Sequence, residues 1–201
     1  MKKAEAIAAS AFLWYSVREP EFGKEVGAMF REMRRYRQQL APERCDEILE
    51  RGTSGVLALS GDGGYPYAVP VSYVYDRRAG KIYFHSAKVG HKVDSLRRCD
   101  KASFCVVDRD QVVPEAYTTW FRSVIAFGRM RILEEDGEKL AAIQKLARKY
   151  HPTDSDEGRQ AAIDREWAPL CMLELTIEHL TGKEAKELAQ RRQSEHEEEK
   201  K

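Results

Sequence analysis

Apolar positions along this chain fall into short runs with two periods. Residues 42–51 carry Cys45, Ile48 and Leu49 at helical spacing and stop at Gly52, which predicts a short helix with that inner face. GVLALS at 55–60 reads as a fully apolar strand, and GDGG at 61–64 as a tight turn. YPYAVPVSYVY at 65–75 resumes as a second strand. Pro66 and Pro70 cannot donate to a ladder, so it belongs at an edge or in irregular pairing. Its tyrosines, Tyr65, Tyr67, Tyr73 and Tyr75, are expected on one barrel face. A loose turn at 76–80 leads into a third strand, and joins this short make the first three strands a meander.

The later segments continue the pattern. Residues 102–107 predict a fourth strand, 108–118 a polar loop, and 120–133 either one long strand or two broken at Gly128. A helix is expected over 134–150 with Leu140, Ile143, Ala147 and Tyr150 on its apolar face, and another over 156–167. A last strand covers 170–177. Six short antiparallel strands with few helices imply a mainly β fold closed or split into a barrel, because closure removes exposed sheet edges.

Residues 81–96, KIYFHSAKVGHKVDSL, change character twice. Ile82, Tyr83 and Phe84 are strand-forming, whereas Val89, Val93 and Leu96 recur at helical spacing. A strand therefore empties through a short turn into a helix with Gly90 and Lys92 in its first turn. Unpaired backbone N–H groups and the positive end of the helix dipole attract an anion there, and lysine adds a counter-charge. The reading is a phosphate pocket, with His85 and Ser86 able to hydrogen-bond the rest of the ligand. A solvated lysine on a packing helix is the plain alternative from this segment alone.

Composition narrows the classes. The 34 basic and 33 acidic residues nearly cancel, which offers no field for nucleic acid or a membrane surface. Arg31, Arg34, Arg35 and Arg37 form a local basic cluster, read as a solvated face. Cys45, Cys99, Cys105 and Cys171 are widely spaced with no CxxC, suiting reduced thiols in a cytoplasm. No apolar run approaches the roughly 20 residues of a membrane span. His85, His91 and Cys99 lack a standard metal-ligand spacing, so no metal site is expected. Residues 1–28 read as an amphipathic helical extension, 29–183 as the folded domain and 184–201 as a charged, disordered tail.

The order GVLALSGDGGYPYAVPVSYVYD, KIYFHSAKVGHKVDSLRR, then YTTWFRSVIAFGRMRIL resembles the pyridoxamine 5′-phosphate oxidase-like flavoproteins, and within them the nitroimidazole-resistance (Nim) group. The similarity covers residues 29–183, with YFHSA followed by GHK, and FRSVIAFGR, as its most specific pieces. It implies a six-stranded split barrel that binds flavin mononucleotide (FMN) at a homodimer interface. Carried over residue by residue, it implies that Pro70, Val71 and Ser72 run along the flavin. Phe84, His85, Ser86 and Ala87 would lie beside its ring and ribityl chain, and His91 and Lys92 at the phosphate. Trp120, Arg122 and Ser123 would approach from the other subunit. His85 is the candidate catalytic residue.

The implied function is a flavin-dependent oxidoreductase acting on small nitro-aromatic or quinone-like acceptors. With no GxGxxG, NAD(P)H would visit only transiently. The alternative is a non-catalytic FMN- or haem-binding protein on the same barrel. The chain lacks the C-terminal arginine-rich motif of true pyridoxamine phosphate oxidases and ends in TIEHLTGKEAKEL, so vitamin B6 oxidation is not expected.

Overall fold

The computed structural model describes residues 30–198, and the extension expected over 1–28 lies outside them. In chain order the elements are α1 (Pro42–Arg51), β1 (Ser54–Ser60), β2 (Pro66–Ser72), β3 (Val74–Asp76), β4 (Lys81–Ala87), α2 (His91–Arg98) and β5 (Lys101–Val113). There follow β6 (Thr118–Leu133), α3 (Asp136–Tyr150), α4 (Asp156–Glu166), β7 (Leu170–Glu184) and α5 (Lys186–Glu198). All strand pairs are antiparallel, in the order β2-β1-β5-β6-β7-β4-β3. The fold is thus mainly β with flanking helices, a barrel left open between β2 and β3.

The sheet has seven strands instead of the expected six, because residues 65–75 divide at Tyr73. Tyr73 is fully buried; its hydroxyl donates to the Leu49 carbonyl at 2.8 Å and its N–H to the Tyr150 hydroxyl at 3.1 Å. Those bonds take the residue out of the ladder, so β2 pairs with β1 while β3 pairs with β4, and the three-strand meander does not form. Tyr67, Tyr73 and Tyr75 pack against one core as expected, but Tyr65, just before β2, is 78% exposed.

Cys45, Ile48 and Leu49 of α1 enter the core as their spacing predicts, and Pro42 starts that helix where no N–H is needed. They meet Leu57, Phe84, Phe104 and Leu173 from the sheet's inner face. Strand β6 is continuous through Gly128, with a register shift between Phe127 and Gly128. Only glycine fits there: an added Cβ would lie 2.0 Å from the Thr176 carbonyl oxygen.

Three further expectations are corrected. The polar stretch 108–118 is mostly strand, a hairpin arm formed by the ends of β5 and β6, and its polarity reflects solvent around it. The last strand runs on to Glu184, and α5 follows where a disordered tail is expected. Leu188 and Ala189 of α5 are buried, as is the Glu184 carboxylate, which takes Arg122 at 3.1 Å and Arg192 at 2.9 Å. Finally, α3 buries Lys139, Ala142 and Leu146, one step round from its most apolar face. Lys139 reaches the core edge by donating to the Trp167 carbonyl and lying 4.0 Å over the Trp167 ring.

Candidate functional site

The C-terminal end of β4 brings together most of the residues singled out from the sequence. His85, Ser86 and Ala87 pair across β7 with Met172, Cys171 and Leu170. With Ser72 at the end of β2 they line a cavity of about 680 Å³, within the roughly 300–1,000 Å³ usual for small-molecule sites. Ile143, Leu146, Ala147 and Tyr150 of α3 and Ala162 and Ile163 of α4 form its other wall. The apolar face expected of α3 is therefore real, but it borders this cavity more than the core.

Helix α3 is moored over the sheet at both ends. Arg131 joins Glu138 at 2.8 Å to the buried Glu174, also at 2.8 Å, and Lys81 completes that cluster at 3.1 Å. Arg131 and Lys81 hold the Glu174 carboxyl below its ordinary range against the opposing effect of burial, the largest single influence on it. Toward the C-terminus, Lys145 pairs with Asp76, and its hydrogen bond depresses that carboxyl. Lys149 donates to the Gly52 carbonyl and lies 4.1 Å over the Tyr73 ring; burial lowers its pKa to about 8. Tyr150 donates to the Thr53 carbonyl. The open carbonyls at the end of α1 are thus capped by side chains from β2–β3 and α3.

Three residues beyond β4, Gly90 caps α2 at φ 123°, a conformation closed to L side chains, with nothing within 4 Å of where a Cβ would sit. No side chain caps this helix, and its first backbone bond is Asp94 N–H to the Gly90 carbonyl. The N–H groups of His91, Lys92 and Val93 are left without helical partners, and the half-buried Lys92 stands among them. His91 stacks on Tyr67, ring centroids 3.9 Å apart, with Nε2 3.5 Å from Asp62. The start of α2 thus presents open donors, a permissive glycine, a lysine and an adjoining imidazole, groups of the kind that can hydrogen-bond an anion.

Pro70 and Val71 lie on β2, opposite Val56 and Gly55, and the far side of β2 is unpaired in the sheet. Phe84 turns its side chain into the core, 5.0 Å from Phe104, so only its backbone faces the site. Trp120, Arg122 and Ser123 stand elsewhere. Ser123 pairs with Lys183 on β7, eleven residues along that strand from the Met172 opposite His85. At ~3.3 Å per residue the separation along the strand is on the order of 30 Å. One chain does not unite the two groups. Arg122 is engaged with Glu184 and Asp108, and Trp120 lies under Arg191 at 4.3 Å with its indole N–H buried and unpartnered.

Sequence reasoning missed Tyr150, His151, Asp154, Arg159 and Glu166, which also line the cavity. The sequence ends one helix at Tyr150 and begins another at Asp156, but nothing local says that the second comes to line the same cavity as the end of β4.

The sequence profile described as pyridoxamine 5′-phosphate oxidase matches residues 41–184. Comparison with curated proteins gives no significant match. Among solved structures, a candidate 5-nitroimidazole antibiotic resistance protein from Bacteroides thetaiotaomicron is similar at TM-score 0.58 and 20% identity, over 72% of this chain and 85% of that one. A FAD-binding protein from Mesorhizobium loti is similar at TM-score 0.54 and 25% identity, over 73% and 96%. A conserved hypothetical protein from Mycobacterium tuberculosis reaches TM-score 0.65 at 18% identity, over 76% and 90%. These likenesses agree with the open barrel described above, and the match over residues 41–184 makes this chain a member of the pyridoxamine 5′-phosphate oxidase family.

Proposed function

We propose that this protein binds FMN and reduces small nitro-aromatic or quinone-like acceptors in the cytoplasm, working as a homodimer. The carrying observation is the adjacency, across three residues of chain, of the uncapped start of α2 and a ligand-sized cavity floored by His85 and Ser86. The backbone of His91 and Lys92, with the Lys92 ammonium, would hold the flavin phosphate. The unpaired side of β2 at Pro70 to Ser72 would run along the ring, and His85 and Ser86 would donate hydrogen bonds to polar atoms of the ribityl chain, ring or acceptor. When bound, the flavin supplies the electron transfer, and the chain supplies position and a dry surround. The distance between Trp120–Ser123 and His85 within one chain supports a second subunit completing the site.

The test begins with the absorption spectrum of the purified protein after incubation with FMN. Flavin bands that persist through gel filtration at dimer size support the reading; a Soret band instead would favour haem binding, and a colourless monomer would defeat the proposal. Anaerobic reduction by NADH or NADPH, then addition of a nitroimidazole, separates enzyme from carrier. Reoxidation no faster with acceptor than without assigns the protein to storage or binding alone.

A further inference from the structure

We infer that a second recess, between the 3₁₀ turn at Tyr36–Gln38, the first residues of β6 and the start of α5, binds a nucleoside polyphosphate. It shares no residue with the His85 cavity, so the inference stands apart from the flavin reading. Its volume of about 500 Å³ is that of a small-molecule site.

Backbone bonds hold both walls. Leu40 N–H donates to the Gly182 carbonyl at 2.9 Å and Gln39 bridges to Lys183, which fastens the arginine-bearing turn to β7. Ala185 N–H donates to the Phe121 carbonyl at 2.9 Å and sets the start of α5 against β6.

The charges facing this recess do not cancel. Arg34, Arg35, Arg37 and Lys186 line it with a single carboxylate, Glu187, which lies 3.7 Å from Lys186. Glu32, next to the cluster in sequence, is outside the lining. The three arginines are exposed and have no carboxylate partner among the described residues, whereas Arg51, Arg77, Arg129 and Arg131 each have one. The basic cluster expected to be a solvated face is thus gathered round a concave surface. Guanidinium forks match phosphate oxygens in pairs, and a multiply charged group would relieve the repulsion between these cations. Tyr36, 68% exposed even with Arg37 5.8 Å from its ring, offers a base a stacking surface, and Thr118 and Thr119 add hydroxyls.

The experiment titrates ATP, inorganic tripolyphosphate and adenosine calorimetrically into the full-length protein, with and without saturating FMN. ATP should bind tightest, and tripolyphosphate about ten-fold more weakly for want of the stacked base. Arg35→Gln and Arg37→Gln, both at exposed positions, should each weaken ATP about three- to five-fold, the upper scale for one exposed ion pair, with thermal midpoints unchanged. Arg78→Gln, on the turn between β3 and β4, removes the same charge elsewhere and should leave ATP affinity unaltered. No binding of ATP, tripolyphosphate as tight as ATP, an equal loss in Arg78→Gln, or displacement of ATP by FMN would overturn the inference. ATP binding in a protein that takes no FMN would keep it and end the flavin reading.

Discussion

Arg122 Nε donates to Glu184 Oε2 at 3.1 Å, and that carboxylate is fully buried. The pair joins the hairpin arm of β6 to the last residue of β7, with Asp108 and Arg192 on either side. Arg122→Met should cost about 3 kcal/mol in urea unfolding, the lower end of the range for stranding a buried charge, because Arg192 remains. A loss below about 0.5 kcal/mol would show the pair to be a surface-type bridge of little worth.

Tyr73→Phe removes the donor to the Leu49 carbonyl while keeping the ring that packs at 4.8 Å on Phe104. The orphaned carbonyl at the end of α1 should lower stability by about 1–3 kcal/mol. Thermal unfolding of the two proteins checks it; an unchanged midpoint would mean that water replaces the phenol.

At the start of α2 two substitutions separate charge from backbone. Lys92→Ala should weaken FMN by about 1.5–3 kcal/mol, the scale of a charge-assisted hydrogen bond. Gly90→Ala carries no charge change, yet φ 123° is strained for alanine by about 1–3 kcal/mol. Both stability and FMN affinity should fall. Fluorescence-quenching titrations measure affinity, and an unaltered dissociation constant in both variants would remove the phosphate from this place.

Lys149 gives a signed pH effect. Burial lowers its folded pKa to about 8, against about 10.4 for an unfolded lysine. Between those values the unfolded chain binds more protons, so its contribution to stability rises with pH across that window and is a constant penalty below it. Burial pushes the Cys45 thiol up to about 11, and Cys105 and Cys171 also upward. These thiols act oppositely, costing stability as pH climbs above the unfolded thiol range. The wild-type minus Lys149→Met stability difference isolates the lysine. It should climb from pH 8 to 10, and a flat difference would show that the hydrogen bond to Gly52 and the Tyr73 ring fully restore the ammonium.

What the sequence made legible followed from local periodicity. Cys45, Ile48 and Leu49 announced their helix face, and Gly90 the uncapped start of α2, because both depend on neighbours within one turn. The split at Tyr73 was hidden because the alternation of YPYAVPVSYVY runs unbroken through it, and only Leu49 and Tyr150, distant in sequence, pull that residue from the ladder. Glu184 looked like the start of a solvated tail because composition does not reveal that Arg122 and Arg192 neutralise it. Arg159 gave no signal in the sequence, since its burial depends on where α4 packs.

The two outermost strands, β2 and β3, are consecutive in the chain with Tyr73 alone between them. The seam of the barrel is therefore tethered by covalent backbone at its Ser72–Val74 end. The roof differs in kind, because side-chain bonds from Glu138, Lys145, Lys149 and Tyr150 hold α3 to the sheet and to the end of α1. The contacts of Lys149 and Tyr150 with Gly52 and Thr53 therefore join that roof to the same stretch of chain that leads into β1.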